Sequence, residues 1–351
     1  MKSSFVLEIA VALLAAFTAS AQQTHEAKIT IHVVDESGKS VANAPVSTSV
    51  IDGHRMGSEF GEEPVYKRVT VFTDERGIAV MTAPGAPADF NYVVMDLPGY
   101  YFGGGMFSFK ESQIGRWQPW NPTVELVLKA IGVQVPMYAR KVWQQKIPDQ
   151  GKTIGFDLMV GDWTPPYGKG KVSDFIFQWD TVTTKTVTNS APSWDGMRAW
   201  TQSFYDSQLA IHFSNEADGI QSVAGDSGSA MRLPRFAPEN GYQSELIKRA
   251  GIDQGTNLVK GLPLKTFIKG HTDYDKDANY FFRVRTKKDA DGKIASALYG
   301  KIYGDFGENI GHGQINFAYY LNPEPNSRNM EFNTKSNLFK NLSSLEQVTT
   351  P

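Results

Sequence analysis

The chain has 351 residues, which is enough for two domains with separate hydrophobic cores. It contains no cysteine, so disulfides, thiolate metal sites and cysteine nucleophiles are excluded. The formal net charge is -2 with both signs interspersed, which argues against nucleic acid or anionic membranes as partners. The 12% of aromatic residues, the 32 glycines and the 18 prolines favour an all-β protein with many turns.

Residues 1–21 have the pattern of a secretory signal peptide. Lys2 precedes an apolar run that ends at Ala19-Ser20-Ala21, so we expect cleavage after Ala21. Glu8 interrupts the run, and an uncleaved amphipathic helix is the alternative. The run is too short to span a membrane, so no membrane insertion is expected. The predicted location is the periplasm or the outside of the cell.

Residues 22–129 consist of short runs in which apolar and polar residues alternate. The first run is ITIHV at 29–33, and comparable runs recur along this part of the chain. Turns rich in Asp and Gly separate them, as at 35–39 and 74–77. Short strands at this spacing predict a small β-sandwich.

Four segments of this region carry a family resemblance. They are VVDESGKSVANAPVST at 33–48, VFTDERGIAVMTAP at 71–84, LPGYYF at 97–102 and VELVLK at 124–129. In this order they resemble the carboxypeptidase regulatory-like, or transthyretin-like, family of small β-sandwiches. The resemblance implies a non-catalytic accessory domain of extracellular bacterial proteins. This copy departs by a long insertion at 52–68 and by an aromatic, glycine-rich stretch at 100–120. The aromatic residues of that stretch either form a second exposed surface or pack over the sandwich edge or against the second domain.

The rest of the chain predicts a second domain. Residues 130–153 contain glycines and prolines with little periodicity, which indicates a connector. Residues 154–351 predict a larger antiparallel β-sandwich. Its clearest strands are expected at 154–160, 175–179, 209–213, 282–286, 294–302 and 315–321. Only residues 242–250 read as a helix. The fold class is therefore all-β, with two antiparallel β-sandwich domains in tandem and few helices.

The loop at 162–170, between two predicted strands, is the leading candidate for a binding surface. Sugars stack their apolar C–H faces on aromatic rings and bond their hydroxyls to polar side chains. Six residues in this loop and further along the chain supply such groups: Asp162, Trp163, Tyr167, Trp194, Asp195 and Trp200. They predict carbohydrate binding, and the alternative is that the Trp163 ring is folded back onto the sandwich.

Asp273, Asp275 and Asp277 have the alternate-residue spacing of a calcium loop. An EF-hand also needs Gly at the sixth position and Glu at the twelfth, where this chain has Ala278 and Val284. A looser calcium site is one reading, and a solvated acidic turn is the other. The six histidines show no metal-ligand spacing, and no other cofactor is expected.

Two patterns invite an enzymatic reading. The segment GDSG at 225–228 is similar to the nucleophile motif of chymotrypsin-like proteases, but the Ala-His-Cys context of that family is absent, so we interpret it as a turn. Glycoside hydrolysis requires two converging carboxylates. The candidates are Asp157, Asp162, Asp174, Glu216 and Asp218. None of them is assigned a catalytic role.

The sequence therefore predicts a secreted, non-catalytic binding or structural module with carbohydrate as the leading ligand class. The alternatives are a glycan-active hydrolase that uses loop carboxylates and a cell-envelope adhesion or assembly protein. The expected partner is a glycan or an envelope protein. The segments ALYGKIYGDF at 297–306 and INFAYYLNPEPNSRNMEFNTKSNLF at 315–339 resemble secreted bacterial proteins without a known activity, so no catalytic residue is carried over.

Overall fold

The computed structural model describes residues 25–57, 61–189, 200–257 and 265–351. Strands make up 56% of these described residues, which contain no α-helix and only a 3₁₀ turn at Ile310–His312. The prediction of an all-β sandwich protein is therefore confirmed. The chain divides into two compact units. One extends up to Leu97 and includes Gly104–Leu128, and the other comprises Pro98–Gly103 and Lys129–Pro351.

The strands of the first unit form two sheets. They are Glu26–Asp35 (β1), Pro45–Met56 (β2), Glu62–Phe72 (β3), Ile78–Pro84 (β4), Asp89–Val94 (β5), Gly103–Ser108 (β6), Glu111–Gln113 (β7), Arg116–Gln118 (β8) and Thr123–Leu128 (β9). One sheet has the order β4-β1-β8-β7 with β9 also on β1, and the other has the order β3-β2-β5-β6. The strand β1 buries Ile29, Ile31 and Val33 completely, as its alternation predicts. It pairs with β4 in antiparallel fashion but with β9 in parallel, so this sheet is mixed.

The two departures from the resembled family have structural explanations. The insertion at 52–68 is a lengthened hairpin, because β2 and β3 remain paired as far as Met56 and Glu62. In the aromatic stretch, the Trp117 Nε1–H donates a hydrogen bond of 2.8 Å to the Ala86 carbonyl, and its ring stacks on buried Phe109 with a centroid distance of 6.3 Å. These two aromatic residues pack onto the sheets and do not form an open surface.

The second unit contains two six-stranded sheets. Its strands are Val135–Lys146 (β10), Thr153–Asp157 (β11), Asp162–Trp163 (β12), Phe175–Asn189 (β13), Trp200–His212 (β14), Gly219–Ser222 (β15), Glu245–Asn257 (β16), Lys265–Thr272 (β17), Asn279–Lys288 (β18), Ile294–Tyr303 (β19), Gln314–Asn322 (β20) and Phe332–Asn337 (β21). The strand orders are β15-β18-β19-β20-β10-β21 and β12-β11-β13-β14-β16-β17. All pairs are antiparallel except β10 with β21.

An aromatic core lies between these two sheets. The rings of Phe175 and Phe282, one from each sheet, meet edge to face with a centroid distance of 5.1 Å. Phe156 and Phe317 make a similar contact at 6.1 Å. All four rings are buried, so the second unit is a sandwich closed by interlocking aromatic side chains.

Two sequence predictions for this unit are wrong. Residues 242–250 do not form a helix, because β16 pairs with β14 from Glu245 onward and Leu246 lies opposite Ile211. Residues 130–153 are not merely a connector, because β10 occupies half of this range and pairs with both β20 and β21. Its side chains enter the core, where Val142 is buried.

A second buried layer covers the outer face of the sheet that contains β19. Leu298 and Ile302 of β19 point into the aromatic core, whereas Tyr299 and Tyr303 belong to the outer layer. Lys301 lies on the same strand and is fully buried. An ionisable amine therefore lies in an otherwise aromatic and aliphatic environment.

Candidate functional site

The predicted binding loop is part of the structural frame. Trp163 is only 3% exposed, and its ring packs edge to face on Phe156 and Phe177 at 5.2 and 5.6 Å. The prediction of an exposed stacking platform at Trp163 is corrected accordingly. The cause is β12, which pairs Trp163 with Phe156 and turns the indole into the core.

The polar residues of that loop also have structural partners. The Asp162 carboxylate accepts the backbone N–H groups of Trp163 and Lys169 at 2.8 and 2.9 Å, which holds the turn closed. The Tyr167 hydroxyl donates to Asp149 at 3.0 Å, and its partly buried ring packs against the core. The Trp, Tyr and Asp side chains of this loop are therefore not free to bind a ligand.

The structure does not describe the side chains of the other three predicted binding residues. Trp194 and Asp195 lie outside the described residues, and so does the side chain of Trp200, whose backbone begins β14. These three positions stay predictions.

The predicted calcium ligands do not converge. The Asp273 carboxylate accepts the Arg249 backbone N–H at 3.0 Å, and the Asp275 carboxylate accepts the Asp277 N–H at 2.9 Å. Within the ranges that the structure describes, no group of three or more His, Cys, Asp or Glu side chains is arranged to hold a metal ion. The alternate spacing thus forms an acidic turn before β18, because the carboxylates bond to neighbouring backbone and do not face a common point.

Three of the candidate acidic residues do converge, on one arginine. The Arg285 guanidinium donates to Asp174 at 2.7 Å and to Asp157 at 2.9 Å. The Asp218 carboxylate accepts the backbone N–H groups of Arg285 and Thr286 at 3.0 and 2.9 Å. Arg285 itself has a φ of 55° at a break in the register of β18, so these bonds fix an irregular backbone.

Burial and hydrogen bonding set the charges of this cluster in opposite directions. Burial raises the pKa of Asp174 and of Asp218, although bonds from Arg285 and from Thr286 respectively offset part of the effect. Burial also acts to raise the pKa of Asp157, but N–H donors from Lys171 and Val172 outweigh it and leave the pKa below its usual value. The cluster resembles an acid–base pair in its electrostatics.

Access decides against catalysis at this cluster. The Asp157 and Asp174 side chains are 3% and 0% exposed, and both are committed to Arg285. Glu216, in contrast, is exposed and pairs with Lys288 at 2.5 Å. A glycosidase needs two carboxylates that reach a substrate from opposite sides. The buried cluster instead holds the irregular end of β18 against the loop after β11.

A cleft lies beside β21 and the segment that follows it. It has a volume of about 470 Å³, within the range of ligand sites in proteins. Eight residues line it: Thr334, Asn337, Phe339, Asn341, Leu342, Gln347, Val348 and Thr349. None of these eight side chains ionises in the physiological pH range.

The walls of the cleft are fixed to the sandwich. On one side, the Asn337 side-chain amide donates to the Ala139 carbonyl at 2.7 Å. On the other, Glu346 pairs with Arg140 at 2.5 Å and its carbonyl accepts the Lys141 N–H at 2.8 Å. Both anchors are on β10, so the same strand positions both walls and the cleft is preorganised.

The polar groups of the cleft are available to a ligand. Among the described residues, the side chains of Thr334, Asn341 and Thr349 have no hydrogen-bond partner within the protein. All three residues are exposed, so a ligand can reach them. Gln347 uses only its amide N–H, which donates to the Leu342 carbonyl at 3.1 Å. Two hydroxyls, one amide and one amide oxygen are thus free to bond a ligand.

Apolar side chains complete the lining. The Phe339 ring is half-buried, and it packs edge to face on Tyr138 and Tyr319 with centroid distances of 5.3 and 6.3 Å. Leu342 and Val348 are also half-buried. The cleft therefore combines a rigid aromatic ring with neutral hydrogen-bonding groups, which is suited to a ligand with both C–H and O–H faces.

The periodicity that identified the strands gave no sign of this cleft. Its lining comes from the end of β21 and from the irregular segment that follows it. Residues 334–349 are rich in Asn, Ser and Thr, and this composition was the available signal. Nor does the GDSG segment build a serine nucleophile, because Ser227 lies with Arg232, Lys276 and Asp277 in a different cleft whose lining includes no histidine.

Comparisons with known proteins add no relative. Among the described residues, no helix is long and apolar enough to span a membrane. No protein-family model matches the chain, and no curated protein matches it either.

Proposed function

We propose that the protein is an exported, non-catalytic binding module whose ligand is a neutral carbohydrate. The observation that carries the proposal is the lining of the 470 Å³ cleft, which combines free hydroxyl and amide groups with an aromatic ring and no charge. Export follows from the signal-peptide pattern of residues 1–21, which lie outside the described residues.

The neutral lining favours binding over catalysis. Thr, Asn and Gln side chains neither accept nor release protons near neutral pH, whereas general acid–base chemistry needs a group that does. The candidate carboxylates Asp157, Asp174 and Asp218 are buried and bonded elsewhere. An acid–base enzyme needs a titratable pair of side chains that a substrate can reach. The cleft is accessible but has no titratable pair, and the buried aspartate cluster has titratable groups but is not accessible.

The same lining favours a neutral ligand over a charged one. A charged ligand without a countercharge would give up its hydration for neutral dipoles alone, which is costly. When a sugar hydroxyl leaves water, its new hydrogen bond to Asn341, Thr334 or Thr349 has nearly the strength of the one it loses. The C–H face of the sugar gains contact with the Phe339 ring.

A glycan array followed by calorimetry tests the proposal. The informative variant is Asn341→Gly, because Asn341 has a φ of 62° and glycine adopts this conformation without strain. The variant removes one amide from the cleft and should weaken binding of the best neutral oligosaccharide by about 2- to 10-fold. Thr349→Val, which keeps the shape and removes the hydroxyl, should act in the same direction.

Asn43→Gly is the matched control. Asn43 has a φ of 57°, is exposed and lies in the other unit, so the backbone change is the same and the cleft is untouched. Equal losses of affinity in both variants would reject the cleft as the site. Release of shortened products from any glycan would reject the non-catalytic reading in favour of a hydrolase. Binding to envelope proteins with no response to any glycan would favour the adhesion alternative.

A further inference from the structure

A second, smaller cleft has the opposite electrostatic character. Its volume is about 180 Å³, the space of roughly six water molecules. The lining residues are Gly225, Ser227, Arg232, Lys276, Asp277 and Asn279. They come from the loop after β15 and from the turn that precedes β18, so both walls belong to the second unit.

The two cations of this cleft have no anionic partner among the residues that the structure describes. In the described part of the chain, neither Arg232 nor Lys276 forms an ion pair. The nearby Asp226 carboxylate is engaged elsewhere, since it pairs with Lys129 at 3.4 Å and accepts the Gly228 N–H at 3.0 Å. Asp277 is the one acidic residue in the lining, which leaves the cleft with a net charge of about +1.

Arg232 and Lys276 are both exposed, and the backbone on each wall of the cleft is fixed by hydrogen bonds. The Arg232 guanidinium lies over the Tyr303 ring with its Cζ 5.8 Å from the centroid. The Arg232 carbonyl accepts the Asp226 N–H at 2.8 Å, which closes the loop that carries Ser227. On the opposite wall, the buried Asn279 side chain donates to the Asp277 carbonyl at 2.8 Å.

We propose that this cleft binds a single monoanionic oxyanion, of the kind a sulfate ester presents. Guanidinium and ammonium groups give charge-assisted bonds to such oxygens, and the Ser227 hydroxyl can add a neutral one. The net charge selects among oxyanions, because Asp277 would repel the second charge of a phosphate monoester. The site is separate from the neutral cleft, and it stands or falls independently of the proposed function.

Titration with methyl sulfate tests this inference, with chloride at equal ionic strength as the reference salt. Backbone amide shifts should change at Ser227 and Asn279 and should saturate. Arg232→Gln should weaken methyl sulfate binding by about tenfold or more, and Lys276→Gln should weaken it in the same direction. Arg249→Gln is the control, because Arg249 is exposed and does not line the cleft. It should retain the wild-type affinity.

Several outcomes would overturn the inference. Methyl sulfate shifts no larger than those of chloride would show that the cleft is only a solvated basic surface. Equal losses in Arg232→Gln and Arg249→Gln would show general charge attraction without a site. Acetate binding as tightly as methyl sulfate would contradict the preference for a tetrahedral sulfate ester. Phosphate binding more tightly would contradict the selection for a single negative charge. Lys276 is exposed, so Lys276→Gln should not disturb the fold. If methyl sulfate still shifted the amides of Ser227 and Asn279 in this variant as in wild type, a role for the ammonium group would be refuted.

Discussion

Replacing Lys301 with methionine should make the protein more stable. Lys301 is 0% exposed, and its ammonium lies 4.8 Å from the ring centroids of both Tyr303 and Tyr320. Its hydrogen bond goes to the Tyr303 hydroxyl at 3.0 Å, and no carboxylate of the described residues pairs with it. Burial, with a further contribution from the Lys129 charge, lowers the pKa of Lys301 to about 7. The same Tyr303 ring has the Arg232 guanidinium 5.8 Å from its centroid.

The size of the effect follows from that pKa. A fall from 10.5 to about 7 means that the unfolded chain binds the Lys301 proton more tightly than the native protein does. At pH 7 this difference destabilises the native state by about 4 kcal/mol. The free energy of unfolding then rises with pH between about 7 and 10.5, because the unfolded state holds the extra proton there. By pH 9 roughly half of the penalty should have gone.

Urea unfolding of wild type and Lys301→Met at pH 7 and pH 9 measures both quantities. Methionine has a similar volume, so its packing cost is small. We expect the variant to be more stable by at least about 2 kcal/mol at pH 7, with the advantage smaller by about 2 kcal/mol at pH 9. The exposed Lys287→Met should change neither value appreciably. A variant that is less stable at pH 7, or an advantage independent of pH, would refute the reasoning.

Two further substitutions test the frame around the predicted loop and the buried cluster. Trp163→Ala should lower the free energy of unfolding by about 3 kcal/mol or more, because a buried ring is lost from the core, and a melting temperature near that of wild type would contradict the buried position. Arg285→Met should cost about 3–5 kcal/mol at pH 7, since Asp157 and Asp174 lose their countercharge. That deficit should shrink towards pH 4, because burial raises the pKa of Asp174 and the unpaired Asp174 carboxylate takes up a proton there. A deficit equal at both pH values would argue against unpaired charge as its cause.

The fold was predictable where a strand buries one face. Alternation located β1, β13 and β20, because a half-buried strand repeats its burial every second residue. It failed at β16, where Leu246, Ile247 and Ala250 also fit one side of a helix. Pairing with β14 decides that segment, and such long-range pairing leaves no local signal. The strand β10 was missed for a related reason, since it contributes to two buried layers, Pro136 lies within it, and Gly132 and Pro148 flank it.

The binding residues were harder to predict than the strands. A tryptophan in a loop with two prolines reads as exposed, but a two-residue pairing with β11 turns Trp163 inward. Conversely, Asn341 and Thr349 lie in a stretch without periodicity, and only the fold brings them together around a cleft. Composition indicates which groups are present, whereas the tertiary structure determines which of them stay free.

The most direct test of the binding account is a backbone NMR titration with the neutral oligosaccharide that scores highest on the array. The account predicts saturable shifts confined to the residues that line the large cleft and to their neighbours on β10 and β21. Shifts centred instead on residues 162–170, or on the small cleft around Arg232, would contradict the assignment of the site. No saturable shift with any neutral glycan would contradict the proposed function itself.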